Sequence, residues 1–296
     1  MQTLTEIREM LGAAGLAPRR RLAQNFLIDQ NLMALLLDTA ELPAGQTVLE
    51  VGPGTGSLTE ELLETAARVV GVEIDRGLAE LLRERLGDRQ NFELIRGDVL
   101  AGKHALNPAV TQALGRAAHM VANLPYNIAT PLIAECLVDS WRASQAHRQG
   151  SCLFERLTFT VQRELAARLA AAPECGDYGP VSVLVALLGR TKRGPAVPAS
   201  AFWPRPKVAS RIMRIDFDAE AAGKVRRIDA LTGVVALAFM HRRKQIGSIL
   251  RSAGKPYTAA QLREALGAAG IDRKMRAEQV SPRQFLAMAN VLAGDN

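Results

Sequence analysis

This 296-residue chain is poor in the residues that build disulfide frameworks and metal centres. Its three cysteines, Cys136, Cys152 and Cys175, are odd in number and form no C-x-x-C pair. Its four histidines, His104, His119, His147 and His241, are scattered. That pattern argues against a disulfide scaffold and against a zinc site, so no metal is expected. No apolar run approaches membrane-spanning length. Acidic Glu6 and Glu9 interrupt the first residues and no long apolar core follows them, so a secretory leader is not expected. A reducing, cytoplasmic setting with no membrane partner follows as the expectation. Also missing is the lysine of a G-x-x-x-x-G-K-[ST] phosphate loop, which disfavours a nucleoside triphosphate.

What is present is unevenly placed. Residues 1–189 hold 17 Lys/Arg against 22 Asp/Glu, a net of −5, whereas residues 190–296 hold 20 against 8, a net of +12. A basic C-terminal part beside an acidic N-terminal part points to a polyanionic partner for the former. The hydrophobic share, 48%, supports one sizeable core and a smaller second domain.

Along the chain, Thr3 to Glu6 reads as a capping box opening a helix to about Leu11. Pro18 to Arg21 is a basic linker, and a helix is expected from about Asn31 to Leu42. Thr47–Val51 is a strand that runs directly into Gly52-Pro53-Gly54-Thr55-Gly56 and a helix from Ser57. Strand, glycine-rich turn and helix form the first unit of a nucleotide-binding α/β sheet, with Gly52 and Gly54 letting the backbone approach a ligand. The next strand, 68–74, carries Glu73, placed to accept from both ribose hydroxyls. A third, 92–96, leads to Asp98, which can accept from an exocyclic amine. A fourth ends at Asn123-Leu124-Pro125-Tyr126. Four functional segments after four consecutive strands share one crevice in an open α/β sheet. The acidic neighbourhood of Glu50, Glu73 and Asp98 repels a pyrophosphate and suits a cationic nucleoside, for which S-adenosylmethionine fits.

Further strands are expected at 157–161, 181–188 and 211–217, the last two as an antiparallel pair. Between them, a proline-stiffened loop presents Phe202 and Trp203 among Arg205 and Lys207. Aromatics with basic neighbours are what an unstacked RNA base needs, although a rigid loop capping the core explains them equally well. Residues 218–224 read as a linker. Beyond it, basic and apolar residues alternate at helical spacing, including Arg242, Arg243 and Lys244, and favour phosphate-backbone binding. The expected domains are 1–217, an α/β S-adenosylmethionine-binding sheet of Rossmann-like class, and 218–296, a small all-helical RNA-binding domain.

These motifs, in this order, closely resemble the bacterial small-subunit ribosomal RNA adenine N6,N6-dimethyltransferases of the KsgA type. The resemblance is carried by Gln24-Asn25-Phe26-Leu27, Glu50 to Gly56, Glu73-Ile74-Asp75, Gly97-Asp98, Asn123 to Pro131, Gln162-Arg163-Glu164, Tyr178-Gly179 and Phe202 to Val208. It covers nearly the whole chain. Two departures are Ala209, where the family usually has Asp, and a longer 142–155 segment. The resemblance implies cofactor contacts at Asn25, Leu27, Gly52, Glu73, Asp98 and Asn123. It also implies methyl transfer to adenine N6, twice per base, within the small ribosomal subunit, by a monomeric chain. Hydrogen bonds from the target amine to the Asn123 amide oxygen and the Leu124 carbonyl would localise the nitrogen lone pair. Tyr126 would stack on the base and Phe202 would sandwich it. Large-subunit rRNA methyltransferases of the antibiotic-resistance type share the glycine loop and an Asn-x-Pro-Tyr motif, but Leu124, Tyr178-Gly179 and Phe202 favour the small-subunit enzymes. A ribosome-assembly factor without catalysis is the other alternative.

Overall fold

The structure, a computed structural model, describes residues 1–102, 105–145, 150–240, 242–252 and 256–294. Residues 146–149 of the long 142–155 segment, together with His104 and His241, lie outside the described residues. The strands of the described chain are β1 Phe26–Leu27, β2 Thr47–Val51, β3 Arg68–Glu73, β4 Phe92–Arg96, β5 Ala117–Asn123, β6 Leu153–Gln162, β7 Gly189–Val197, β8 Phe202–Trp203 and β9 Ser210–Phe217. Seven of them form one sheet in the order β4-β3-β2-β5-β6-β9-β7, while β1 and β8 pair antiparallel as a separate ribbon. The run from β4 to β6 is parallel, and β9 is antiparallel to β6. Val48 to Val51 are all buried, as a parallel strand covered on both faces requires. The sheet order places β3 on one side of β2 and β5 on the other, so their C-terminal ends border the same crevice.

Helices supply the cover. Helix α1 (Leu4–Ala13) opens on the expected capping box, with the Glu6 N–H donating to Thr3 Oγ1 and the Thr3 N–H donating to Glu6 Oε2. Its Ile7 and Leu11 bury against Leu78 and Leu81 of helix α4 (Arg76–Leu86). Helices α2 (Gln30–Ala40) and α3 (Ser57–Thr65) contribute Met33, Leu36, Leu58 and Leu62 to a core that also takes Val48, Val69 and Phe202.

The C-terminus of α2 is held by arginines from the sheet. Glu41 ends it in the left-handed region, at φ 43°, and Arg156 donates to the Ala40 and Glu41 carbonyls at 2.6 and 2.8 Å. Arg214 pairs with the Glu41 carboxylate at 2.6 Å and Lys192 pairs with it at 2.9 Å. The hydrogen bond from Arg214, followed by that from Lys192, lowers the Glu41 carboxyl from 4.5 to about 2. A carboxyl depressed in the folded state stabilises the fold above its ordinary value, and that stabilisation disappears as pH falls through the folded value. Glu41→Gln is therefore expected to flatten the acid limb of the stability profile between pH 4.5 and about 2. Thermal melts across that window check it, and identical slopes in both proteins would remove this ion pair from the stability account.

The chain divides into two compact units, Met1–Ala166 with Thr191–Phe217, and Ala167–Arg190 with Asp218–Asn296. The second unit thus takes in Ala167–Arg190 besides the stretch expected from 218 onward. The reason is a difference in secondary structure. Residues 181–188, expected as a strand, form helix α8 (Pro180–Leu188). Pro180 occupies its first turn, and the Ser182 hydroxyl accepts from the Gly179 N–H at 3.0 Å and donates to the Arg168 carbonyl. An apolar run interrupted by a single serine has no period to tell strand from buried helix. Here it is a helix buried on most sides within the second unit, where the Tyr178 hydroxyl donates to the Val280 carbonyl and Phe239 packs against Tyr178 and Phe285. The strand that joins the sheet is β7, drawn in part from the stretch expected as loop.

In the same unit, the expected linker holds a helical turn, Ala219–Ala222, capped by Asp218. The expected basic helix through 242–244 breaks: α10 spans Ile228–Phe239, and a 3-10 segment follows at Ile246–Ser252. Arg242, Arg243 and Lys244 occupy the turn between them. The capping boxes at Thr258–Gln261 and Ser281–Gln284 start helices Ala259–Ala268 and Pro282–Leu292 as expected.

Candidate active site

One crevice collects the segments 22–27, 50–55, 72–74, 97–99 and 123–128. It lies wholly within the first unit. Asn25, Leu27, Gly52, Gly54, Glu73, Asp98, Asn123, Leu124 and Tyr126 all line it.

The glycine turn is shaped by more than a ligand. Gly52 and Gly54 have φ of 70° and 64°. A Cβ on Gly52 would lie 3.2 Å from the Pro125 ring, and one on Gly54 would lie 2.9 Å from the Phe26 ring. The Gln-Asn-Phe-Leu and Asn-Leu-Pro-Tyr segments therefore press on the turn from two sides, and only glycine fits both the backbone angle and the space.

Three acidic side chains, Glu50, Glu73 and Asp98, face this region. Glu73 is 4% exposed, and its oxygens accept from the Gly54 N–H at 3.1 Å and the Asp75 N–H at 2.8 Å. Burial raises its carboxyl above the usual range, while these backbone donors oppose the rise. Burial likewise pushes the Glu50 carboxyl up to about 8, against the Thr59 hydroxyl that donates to it at 2.7 Å and with the nearby Glu73 charge adding to the rise. Asp98 is exposed at the rim, with Oδ1 accepting from the Leu100 N–H at 2.9 Å. Buried carboxyls without a cationic partner are costly, and a sulfonium or ammonium ligand would relieve that cost. The positive-φ glycines, the buried Glu73 and the acidic lining fit S-adenosylmethionine.

At the end of β5, the Asn123 side chain is held at both atoms. Its Nδ2 donates to the Asn25 carbonyl at 2.8 Å, and its Oδ1 accepts from the Thr160 hydroxyl. Leu124 is 1% exposed. The Tyr126 hydroxyl shares a 2.8 Å hydrogen bond with Ser210, which fixes the ring edge, and burial raises the phenol above its ordinary value.

A model of the ribosomal RNA adenine dimethylase family matches residues 15–294. The chain belongs to the ribosomal RNA adenine dimethylase family. Among relatives, the ribosomal RNA small subunit methyltransferase A of Phenylobacterium zucineum is 38% identical, with 98% of this chain and 93% of that protein covered. The protein of the same name from Alkaliphilus oremlandii is 36% identical, with 93% and 91% covered. Among solved structures, the 23S rRNA methyltransferase ErmE is 29% identical, with a TM-score of 0.58 over 91% of this chain and 100% of ErmE. A dimethyladenosine transferase from Plasmodium falciparum is 22% identical, with a TM-score of 0.66 over 89% and 95%, a likeness of fold.

Not every residue expected at the dimethylase site reaches it. Phe202 is 2% exposed and packs into the core, and it does not line the crevice. Its place in the ribbon explains this: Phe202 pairs with Leu27 and Trp203 with Phe26. A sandwich of the target base by Phe202 is not what the structure places there. Trp203 instead stacks on Phe26 at 6.2 Å between centroids, with the Arg8 guanidinium 5.2 Å from its ring. Sequence reading also missed Asp75. Only 3% exposed, it caps α4 and takes the Gln24 amide and the Arg19 guanidinium, both at 3.1 Å, so it ties the Gln-Asn-Phe-Leu segment down beside Glu73. The Glu73-Ile74-Asp75 sequence carried that signal, because Asp before a helix is a strong cap.

Proposed function

We propose that the chain dimethylates N6 of adenines in small-subunit ribosomal RNA in the bacterial cytoplasm, with S-adenosylmethionine as methyl donor. The observation that carries the reading is the Asn123 amide, anchored at the mouth of an acidic, glycine-lined crevice. S-adenosylmethionine, when bound, supplies a methyl group already activated by its sulfonium. Glu73 would accept from the ribose hydroxyls, Asp98 from the cofactor's adenine amine, and Gly52 and Gly54 would admit the ligand to the backbone. Asn25 and Leu27 would close the other wall.

The amino nitrogen of adenine is a weak nucleophile because its lone pair is shared with the ring. The Asn123 oxygen and the Leu124 carbonyl would accept its two N–H groups, gather that lone pair on nitrogen and aim it, while Tyr126 stacks on the ring. Such a site accelerates by positioning and electrostatics, with no protein nucleophile. The base must leave its stack, at about a few kcal/mol.

Relatives at 36–38% identity bear the small-subunit name and ErmE, at 29%, bears the 23S name, which favours the small-subunit substrate. Labelled methyl transfer onto unmethylated small subunits and, in parallel, onto unmethylated large-subunit RNA, followed by mapping of the modified nucleotides, tests this. Label confined to large-subunit RNA would install the ErmE-like reading, and no label on either would leave an assembly factor.

The basic residues divide by environment. Arg242 donates to the Gly176 carbonyl at 2.5 Å and pairs with Glu278 at 3.1 Å. Arg243 and Lys244 are exposed. We therefore assign phosphate contact to Arg243, Lys244, Arg205 and Lys207, and to Arg242 a share in holding its turn. The double replacement of Arg243 and Lys244 by alanine is expected to weaken small-subunit binding and to lower its salt slope by roughly one to two. Affinity for S-adenosylmethionine should stay unchanged. Titrations at several salt concentrations check it, and an unaltered slope would make this turn a solvated surface.

A further inference from the structure

Thr160 lies on β6 directly across from Asn123 in the parallel register of β5 and β6. It is 0% exposed, and its hydroxyl donates to Asn123 Oδ1. No motif singles it out, and it touches the crevice only through Asn123. We propose that Thr160 is a positioning residue for methyl transfer, which sets the Asn123 amide with its oxygen available to the target amine. This role presupposes that Asn123 receives that amine, as proposed above.

The two ends of the amide are locked by partners of opposite character. The Asn25 carbonyl is an acceptor only, so it selects the NH2 end. The Thr160 hydroxyl donates to the oxygen end. A flipped amide would set its oxygen against the Asn25 carbonyl oxygen, and two acceptors facing each other in a half-buried site repel. Amide oxygen offers two lone pairs. Thr160 takes one and leaves the second for the substrate. Without the hydroxyl, the Asn25 carbonyl still selects the NH2 end, but the amide plane is free to swing about that single anchor. A loosely held acceptor aims the nucleophile poorly, and displacements of about 1 Å can cost on the order of a hundredfold in rate.

The decisive measurement is single-turnover methylation of unmethylated small subunits by Thr160→Val, Thr160→Ser and Asn123→Ala, with the double variant Asn123→Ala/Thr160→Val beside them. Valine preserves the β-branched shape in the strand and removes only the hydroxyl; serine keeps the hydroxyl. The expected result for Thr160→Val is a rate loss of about ten- to a hundredfold with cofactor and subunit affinity near normal. Thr160→Ser should recover most of the rate, and the double variant should be no slower than Asn123→Ala alone, because residues acting through one group are not additive. A wild-type rate in Thr160→Val alongside a slow Asn123→Ala overturns the role of Thr160 and leaves that of Asn123 standing. Equal losses in the valine and serine variants, or a further loss in the double variant, would assign Thr160 to packing. A wild-type rate in Asn123→Ala would overturn the acceptor assignment itself. Should valine compromise folding, seen as a lowered melting temperature, Thr160→Ala, which also removes the hydroxyl, and its double with Asn123→Ala decide by the same criteria.

Discussion

Asn123→Ala is expected to reduce methyl transfer on the order of a hundred- to a thousandfold, the loss typical of removing one preorganised polar group from a site that works by electrostatics. The structure sharpens the reason. Asn123 is the only member of the Asn-Leu-Pro-Tyr segment whose side-chain polar atoms reach both a second strand and the Gln24–Leu27 wall, through Thr160 and Asn25. Truncation removes the acceptor and leaves the Asn25 carbonyl and Thr160 hydroxyl without their shared partner. Subunit affinity should change little, because backbone contacts to phosphate supply most of it elsewhere on the protein. Asn123→Asp is the finer probe. It keeps acceptor oxygens but sets one of them against the Asn25 carbonyl, where the amide now donates at 2.8 Å. Turnover should fall, while cofactor affinity falls less than in a Glu73 variant. Single-turnover rates measured beside both affinities separate these effects. Undiminished turnover in Asn123→Ala would take the residue out of the mechanism.

How much of this was legible in the sequence varies with the physical origin of each feature. The crevice was legible because its parts follow consecutive parallel strands, and strand–turn–helix punctuation is local: Gly52 to Gly56 after Val51, Asp98 after Arg96, Asn123 at the end of β5. The capping boxes at Thr3, Thr258 and Ser281 were legible for the same reason. Helix α8 was not, since Val181 to Leu188 is apolar at every position but Ser182 and its environment, not its pattern, chose the helix. Phe202 was misplaced because its fate depends on pairing with Leu27, some 175 residues earlier in the chain. Thr160 depends on the register between β5 and β6, which no local signal sets. Basic spacing likewise suggested a helix through Arg242–Lys244, whereas Arg242 bonds to Gly176 and Glu278 and the chain turns there. Local chemistry announced the site's ligands; tertiary pairing decided what holds them.

Glu73→Ala is expected to weaken S-adenosylmethionine binding by about 1.5–3 kcal/mol, the range for hydrogen bonds to a charged group. That corresponds to roughly ten- to a hundredfold and more in dissociation constant. Two oxygens of Glu73 already accept from Gly54 and Asp75, and each keeps a lone pair for a ribose hydroxyl. Alanine therefore removes the ribose acceptor and also frees the Gly54 N–H in the turn that approaches the ligand. Glu73→Gln distinguishes the two contributions. The amide keeps one acceptor oxygen, so it can satisfy either Gly54 or Asp75, but its NH2 end faces the other backbone N–H as a second donor. Its affinity should fall close to that of the alanine variant if the paired acceptors matter, and should stay near wild type if burial alone matters. Burial holds the Glu73 carboxyl above its usual range, so cofactor binding should also weaken as pH falls and the carboxyl takes up a proton, and Glu73→Gln should lose this share of the pH dependence while the share from Glu50 and Asp98 remains. Calorimetric titration of cofactor across pH for the three proteins measures both effects. Unchanged affinity in Glu73→Ala, with Asn123→Ala still inactive, would move the ribose contact to another residue of the crevice while leaving the transfer site in place.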